Sequence, residues 1–212
     1  MAAHPSEGVI HCVAHHAVER LPELPPATVA TLRTWRDLLW RLGLLGQDPA
    51  RYDGAAFGNV SVRLPTGGLL VTGSQTGGVP NLGLDGLVVV DRVDVPKNQV
   101  WSRGPVLPSS ESMTHAALYA LDAGIEAVVH VHSPAIFDRA AVLGLPETSA
   151  TVPYGTPEMA LEMARLWRRS ALPNVGVFVM PGHQDGVVGV GASLEQASTR
   201  LVAVLAAALA WV

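Results

Sequence analysis

Cysteine is almost missing from this chain: Cys12 is the single one among 212 residues. A lone thiol closes no internal disulfide, so a hydrophobic core must hold the fold, and a reducing cytoplasmic compartment is the expectation. Charge is scarce too. Charged residues make up 15% of the chain, with a net charge of −4 and no basic cluster, which argues against an electrostatic nucleic-acid surface. Long apolar runs are also lacking. The most apolar segment, 201–212, is too short to span a bilayer and reads as a terminal helix packed on the core. The opening residues Met1 to Glu7 lack the basic start and apolar stretch of a signal peptide. Neither nucleic acid nor membrane is therefore expected as a partner. Aromatics are only 5% of the chain, yet apolar residues reach 49%, so small aliphatic side chains must fill the core of one large domain.

Strand and helix patterns alternate along the chain. Residues 1–25 read as an N-terminal extension with a short edge strand over Gly8–Val13, then His15, His16 and a proline-rich link. His4, His11, His15 and His16 are irregularly spaced without acidic or thiol companions, so they read as surface histidines. Thr28 is positioned to cap a helix reaching about Leu42, with Val29, Leu32, Leu39 and Leu42 at helical spacing. Strands are expected over 57–63, 69–72, 87–90, near Val100, and over 175–180 and 187–190. Helices are expected from Ser109 or Ser110 to Leu121, over 135–143, from Thr156 to Arg169, and from Ser193 onward. Hairpin signals occur in both halves. The expected fold is therefore α/β: a single-domain mixed β-sheet covered by helices on both faces.

The stretch with most chemical content is Glu126-Ala-Val-Val-His130-Val-His132-Ser133. On a strand, Ala127, Val129 and Val131 share one face and want a core, while Val128, His130 and His132 share the other. The two imidazoles can converge on one ion, or they are simply two partly exposed histidines at a strand end. Possible partners flank them in the chain. Glu111 lies at a helix start just before this strand, and His183 and Asp185 lie in the turn between the last two strands. Three neutral imidazoles with an open position would make a catalytic zinc site, and a carboxylate beside it can serve as general base. His115, one turn beyond Glu111, reads as a packed helix residue. Glycines interleaved with hydroxyls over Gly73-Ser-Gln-Thr76-Gly77-Gly78 let backbone N–H groups approach an anion.

Three motifs in order, Gly58-Asn59-Val-Ser-Val-Arg63, Pro108-Ser109-Ser110-Glu111 and Val128-Val-His130-Val-His132, resemble the class II aldolase/adducin family over about residues 28–209. The resemblance implies a class II aldolase-like domain over 26–212 with a three-layer architecture. It also implies Zn2+ (or another divalent transition metal) on His130 and His132, and Glu111 as catalytic acid/base. Asn59, Ser109 and Ser110 would hold substrate phosphate, with Thr76-Gly77 as the best match to a further threonine-glycine pair. The family's third histidine stands directly before a glycine. Here Asp185 fills that place and His183 lies two residues earlier, so His183 is the expected ligand and Asp185 the alternative. The glycine loop is longer than in the family's sugar-phosphate aldolases. The 140–154 link is shorter, and the segments bearing proton-donating tyrosines seen in one member are not matched, leaving Tyr154 as the nearest tyrosine. The implied activity is a zinc-dependent, aldolase-type carbon–carbon lyase acting on a small hydroxy-carbonyl or sugar-phosphate-like substrate through a metal-stabilised enediolate. Epimerase, dehydratase and decarboxylase chemistry, or a non-catalytic adducin-like scaffold, are the family's alternatives. A homo-oligomer, a tetramer by resemblance, is expected. A cupin-type site also uses histidines two apart, but it needs a glutamate shortly afterwards, and residues 133–137 contain none.

Overall fold

The structure, a computed structural model, describes residues 12–109 and 111–210. The elements run β1 (Val13–Val18), α1 (Pro26–Arg41), β2 (Gly46–Gln47), β3 (Ala56–Phe57), β4 (Asn59–Arg63), β5 (Leu69–Thr72), β6 (Leu87–Asp94) and β7 (Gln99–Gly104). They continue with α2 (Ser112–Leu121), β8 (Ala127–His132), α3 (Pro134–Phe137), α4 (Pro157–Arg169), α5 (Leu172–Val175), β9 (Val177–Val179), β10 (Gly186–Gly191) and α6 (Leu194–Ala210). Eight strands form one sheet in the order β1-β7-β6-β5-β4-β8-β10-β9, and β2 pairs with β3 as a separate ribbon. Among the eight strands only β1 and β7 pair in parallel and the other strand pairs are antiparallel; Glu147 adds an isolated parallel bridge to Val179 of β9. No helix among the described residues is long and apolar enough to cross a membrane.

This is the expected mixed sheet with helices on both faces. One face packs against α1, α3 and α6 through Leu32, Leu39, Ile136, Ala197 and Leu201. The other packs against α2 and α4 through Met113, Leu118, Met159, Met163 and Leu166. Strand β8 lies between the two cores. Ala127, Val129 and Val131 enter the first and Val128 the second, so alternation along one strand feeds both layers.

Several boundaries differ from the sequence expectation, each for a local reason. The N-terminal strand begins at Val13, with His15 and His16 inside it rather than after it; residues 1–11 lie outside the described part. Those two rings are tied to β7: His15 stacks on Trp101 at 4.8 Å, and His16 Nδ1 bonds Ser102 Oγ at 2.9 Å. Helix α1 starts at Pro26, whose ring presets the first helical φ, and Thr28 does not cap it. Helix α3 ends at Phe137 rather than Leu143, because the hydrogen bonds then tighten to i→i−3 (Arg139 N to Ile136 O, 3.1 Å; Ala140 N to Phe137 O, 3.3 Å). Strand β6 extends to Asp94, its last three residues held by pairing with β7 rather than by burial, after an irregularity at Asp91. Strand β9 starts two residues late because 172–175 winds into a helical turn closed by Gly176 at φ +68°.

Gly58 sets the entry to β4. Its φ of +80° is left-handed, and a Cβ there would collide with Leu45 Cδ2 and sit 3.1 Å from the His130 carbonyl oxygen. Gly43 has a similar φ of +71° with nothing within 4 Å. Gly58→Ala is expected to destabilise the chain by about 2–4 kcal/mol, combining backbone strain with overpacking. Gly43→Ala should lose only ~1–2 kcal/mol, from strain alone. Urea unfolding of the two variants side by side checks the difference.

Candidate metal centre

His130 and His132 project from β8 toward the face covered by α2 and α4. His130 lies opposite Asn59 of β4 on one side and Val188 of β10 on the other; His132 lies opposite Gly186. His183 comes from the turn joining β9 to β10, which is closed by Met180 N to Gly186 O (2.9 Å) and His183 N to Met180 O (2.8 Å). One nitrogen from each of the three rings lies within 4.8 Å of the others. All three histidines are buried, at 0%, 1% and 3% exposure, so bulk water scarcely reaches their rings. His130 Nε2 has no hydrogen-bond partner among the described residues. Burial first, then repulsion from His183 and His130, holds His132 well below the ordinary imidazole range, in the neutral form a metal ligand needs. A buried nitrogen without a partner, within a set of converging imidazoles, fits a borderline-soft divalent cation such as zinc.

Glu111 stands at the cap position of α2, one residue before the helical turn in which the sequence reading placed it. Its carboxylate is 3% exposed and meets His130 Nδ1 through Oε2, with Oε1 3.5 Å from His183 Nδ1. Asn59 Nδ2 donates to Oε2 at 2.9 Å. Burial pushes this carboxyl up, but the His130 and His183 imidazoles outweigh it and hold it well below the usual carboxylate range. Ser109 Oγ accepts from Glu111 N at 3.3 Å and is 3.5 Å from Asn59 Nδ2. Asn59, Ser109, Glu111 and the three histidines are thus brought together. Ser110 lies outside the described residues.

Asp185 takes a different direction from His183. Its Oδ2 accepts from Arg51 Nη2 and from the Tyr52 hydroxyl, both at 2.7 Å. Aromatic rings wall the imidazoles: Tyr154 stacks on His183 at 4.2 Å, and Tyr52 meets His132 edge-on at 4.6 Å with Phe57 at 5.3 Å. The Thr76 hydroxyl donates to Gly73 O within its own loop (2.7 Å), and Gly77 packs without room for a Cβ against the Phe57 carbonyl. The loop is therefore seated behind Phe57. Arg36 pins it from α1, one Nη2 donating to the carbonyls of Thr76 and Gly77 at 2.8 Å each.

Sequence reasoning did not single out Arg36, Arg51 or Tyr52. Arg36 left a readable signal, since it follows Leu32 by four residues and precedes Leu39 by three, on the buried stripe. Arg51 and Tyr52 left none, because they lie in an irregular link. His115 is a buried helix residue whose Nδ1 bonds Ser61 Oγ at 2.8 Å.

Residues 48–212 match the family model "Class II Aldolase and Adducin N-terminal domain". No curated protein sequence matches the chain. Among solved structures, YgbL of Escherichia coli is similar at TM-score 0.62 and 22% identity over 85% of this chain and 86% of that one. L-fuculose-1-phosphate aldolase of Thermus thermophilus is similar at TM-score 0.64 and 22% identity, over 85% and 90%. The sugar-phosphate aldolase of Thermotoga maritima is similar at TM-score 0.63 and 17% identity, over 87% and 93%. At these identities the likeness shows a shared fold.

Burial lowers the His115 pKa from 6.5 to about 3, against the attraction of Glu111. The folded pKa lies below the unfolded one, so this contribution to stability is full above pH 6.5 and is lost as pH falls toward 3. In metal-free protein, His115→Gln should therefore remove about one proton from the uptake on unfolding near pH 5, or ~1.4 kcal/mol per pH unit of slope. Denaturant midpoints across pH 4–7 measure it; an unchanged slope contradicts the assignment.

Proposed function

We infer the activity from one premise: the chain belongs to the class II aldolase and adducin family. Within it, the reading is a zinc-dependent carbon–carbon lyase of aldolase type, acting on a small hydroxy-carbonyl or sugar-phosphate-like substrate. The observation that carries this reading is the buried convergence of His130, His132 and His183 beside a carboxylate, Glu111, that is itself hydrogen-bonded by Asn59. A non-catalytic scaffold has no need to desolvate four such groups together, since each imidazole and carboxylate is unfavourable in a dry interior without a partner.

His130, His132 and His183 would hold the ion. When bound, it supplies Lewis-acid polarisation of a carbonyl or neighbouring hydroxyl oxygen of the substrate. Glu111 moves the proton. In the addition direction it takes the proton from the carbon next to the carbonyl; in cleavage the hydroxyl on the carbon that becomes the aldehyde gives up its proton as the carbon–carbon bond breaks, and Glu111 returns a proton to the carbon that received the bond's electron pair. Asn59 donates to Oε2, the oxygen that meets His130, and so fixes how the carboxylate is turned toward the imidazoles. Ser109, beside Asn59, is placed to contact an anionic end of the substrate, and Ser110 belongs to the same proposal. Tyr154, Tyr52 and Phe57 keep water from the rings, which strengthens every charge interaction inside. A cytoplasmic homotetramer belongs to the same reading.

The test uses deuterium. Incubation of the zinc-loaded chain in D2O with a panel of small hydroxy-ketones and their phosphates should exchange the hydrogen next to the carbonyl for at least one compound. That compound should also be condensed with, or released from, an aldehyde. Glu111→Gln should keep its zinc and lose exchange by about 10²–10⁴-fold. His130→Ala should lose the zinc. Exchange that survives Glu111→Gln unchanged rejects the role of Glu111, and a chain without stoichiometric metal rejects the reading of the site.

A further inference from the structure

We propose that Arg51, Tyr52 and Asp185 form a clamp that holds the His183 turn against the exit of β8, so that Asp185 is a positioning residue and not a ligand. The proposal rests on the metal-centre reading above. It answers a question the sequence poses by placing two metal-capable side chains, His183 and Asp185, two residues apart in one turn.

The geometry separates them. The converging donor set is His130, His132 and His183. The Asp185 carboxylate is instead committed to two donors from a link 133 and 134 residues earlier, with Arg51 Nη2 and the Tyr52 hydroxyl both at 2.7 Å from Oδ2. Such charge-assisted bonds are the strong kind, and here the acceptor side chain is only 10% exposed. The backbone of Asp185 is tied as well: its carbonyl accepts from Ser133 N at 2.9 Å, directly after His132. Gly186 N bonds back to His183 O at 2.9 Å, so the residue that fixes the turn and the residue that carries the imidazole belong to one rigid unit.

The other end of the clamp reaches the same centre. The Tyr52 ring packs edge-on against His132 at 4.6 Å, and the Arg51 guanidinium lies over that ring at 4.7 Å from its centroid. One side-chain cluster thus braces His132 through a ring and His183 through a turn. Its backbone is held in an uncommon conformation to do so. Tyr52 (φ 51°), Asp53 (φ 55°) and Asp185 (φ 61°) all occupy the left-handed region although none is glycine. Such residues persist where surrounding contacts over-determine them. Partners that orient ligating side chains typically contribute 10–100-fold to metal affinity.

The test is a competition titration with Zn2+ against a chelating dye, using the full chain and Asp185→Asn, Arg51→Met and Tyr52→Phe. Asparagine tolerates the left-handed backbone, so Asp185→Asn removes the charge while sparing the turn. Arg51→Met acts from the half-exposed far end and cannot touch the ion. Asp185→Asn and Arg51→Met should each weaken Zn2+ binding by about 10–100-fold, and the double variant should be no weaker than the worse single one. Tyr52→Phe, which keeps the ring, should fall between these and wild type. Co2+ loaded to saturation into wild type, Asp185→Asn and Arg51→Met should give the same visible absorption spectrum per bound ion, because the ligand set is unchanged. Unaltered zinc affinity in Asp185→Asn overturns the clamp. So does a changed cobalt spectrum in Asp185→Asn together with wild-type behaviour of Arg51→Met, the result that makes Asp185 a ligand. A wild-type chain that takes up no Zn2+ overturns the metal-centre reading itself, and the clamp with it.

Discussion

Imidazoles and a carboxylate crowded into a dry interior have to satisfy one another. Glu111, His130, His132 and His183 are each at most 3% exposed, so bulk water does little to solvate them. Glu111 is stabilised as the anion by the rings around it and by the Asn59 amide. His132 is kept neutral. Such a set, with His130 Nε2 lacking any hydrogen-bond partner among the described residues, fits a cation among its nitrogens. Much of the surrounding architecture follows from the need to exclude water from that point while holding four side chains still.

The sheet does the holding. Strand β8 delivers two histidines on one face because alternation is enforced by the apolar residues on the other, which are locked into the first core. Its neighbours contribute the rest. Strand β4 sets Asn59 opposite His130, and β10 begins at the residue paired with His132, so the turn before it must bring His183 alongside. Helix α2 starts beneath them with Glu111 at its cap. Rigid elements thus supply position, and the irregular segments 48–54 and 73–78 close the walls under the restraint of Arg51 and Arg36.

Much of this could be read before any coordinates. Period-two alternation in 126–132 predicted both faces of β8, since a strand buried on both sides has no freedom to slip. Capping chemistry located α4, where Thr156 Oγ1 accepts from Met159 N at 3.3 Å. The family motifs pointed to Glu111, His130 and His132 as a group, and these are the residues the fold brings together. What escaped has physical reasons. The start of β1 escaped because this edge strand buries no residue fully and its sequence, with His15 and His16 adjacent between Ala14 and Ala17, shows no apolar–polar alternation. The end of α3 escaped because a four-residue helix is too short to show a period. Whether His183 or Asp185 faced the histidines could not be read from spacing alone, because residues two apart share a side only if the segment is extended. Here Asp185 is left-handed, and the two side chains diverge. Arg51 and Tyr52 were illegible, since their meaning depends on a carboxylate more than 130 residues away.

The central claim is that one divalent ion completes the centre on three imidazoles. A crystal soaked in Zn2+ and recorded on both sides of the zinc absorption edge tests it most directly. The account predicts one strong anomalous peak per chain at ~2.0–2.1 Å from a nitrogen of each of His130, His132 and His183. Asp185 should remain on Arg51 and Tyr52 in that crystal. A peak ligated by Asp185, or no peak between the three rings, would contradict it.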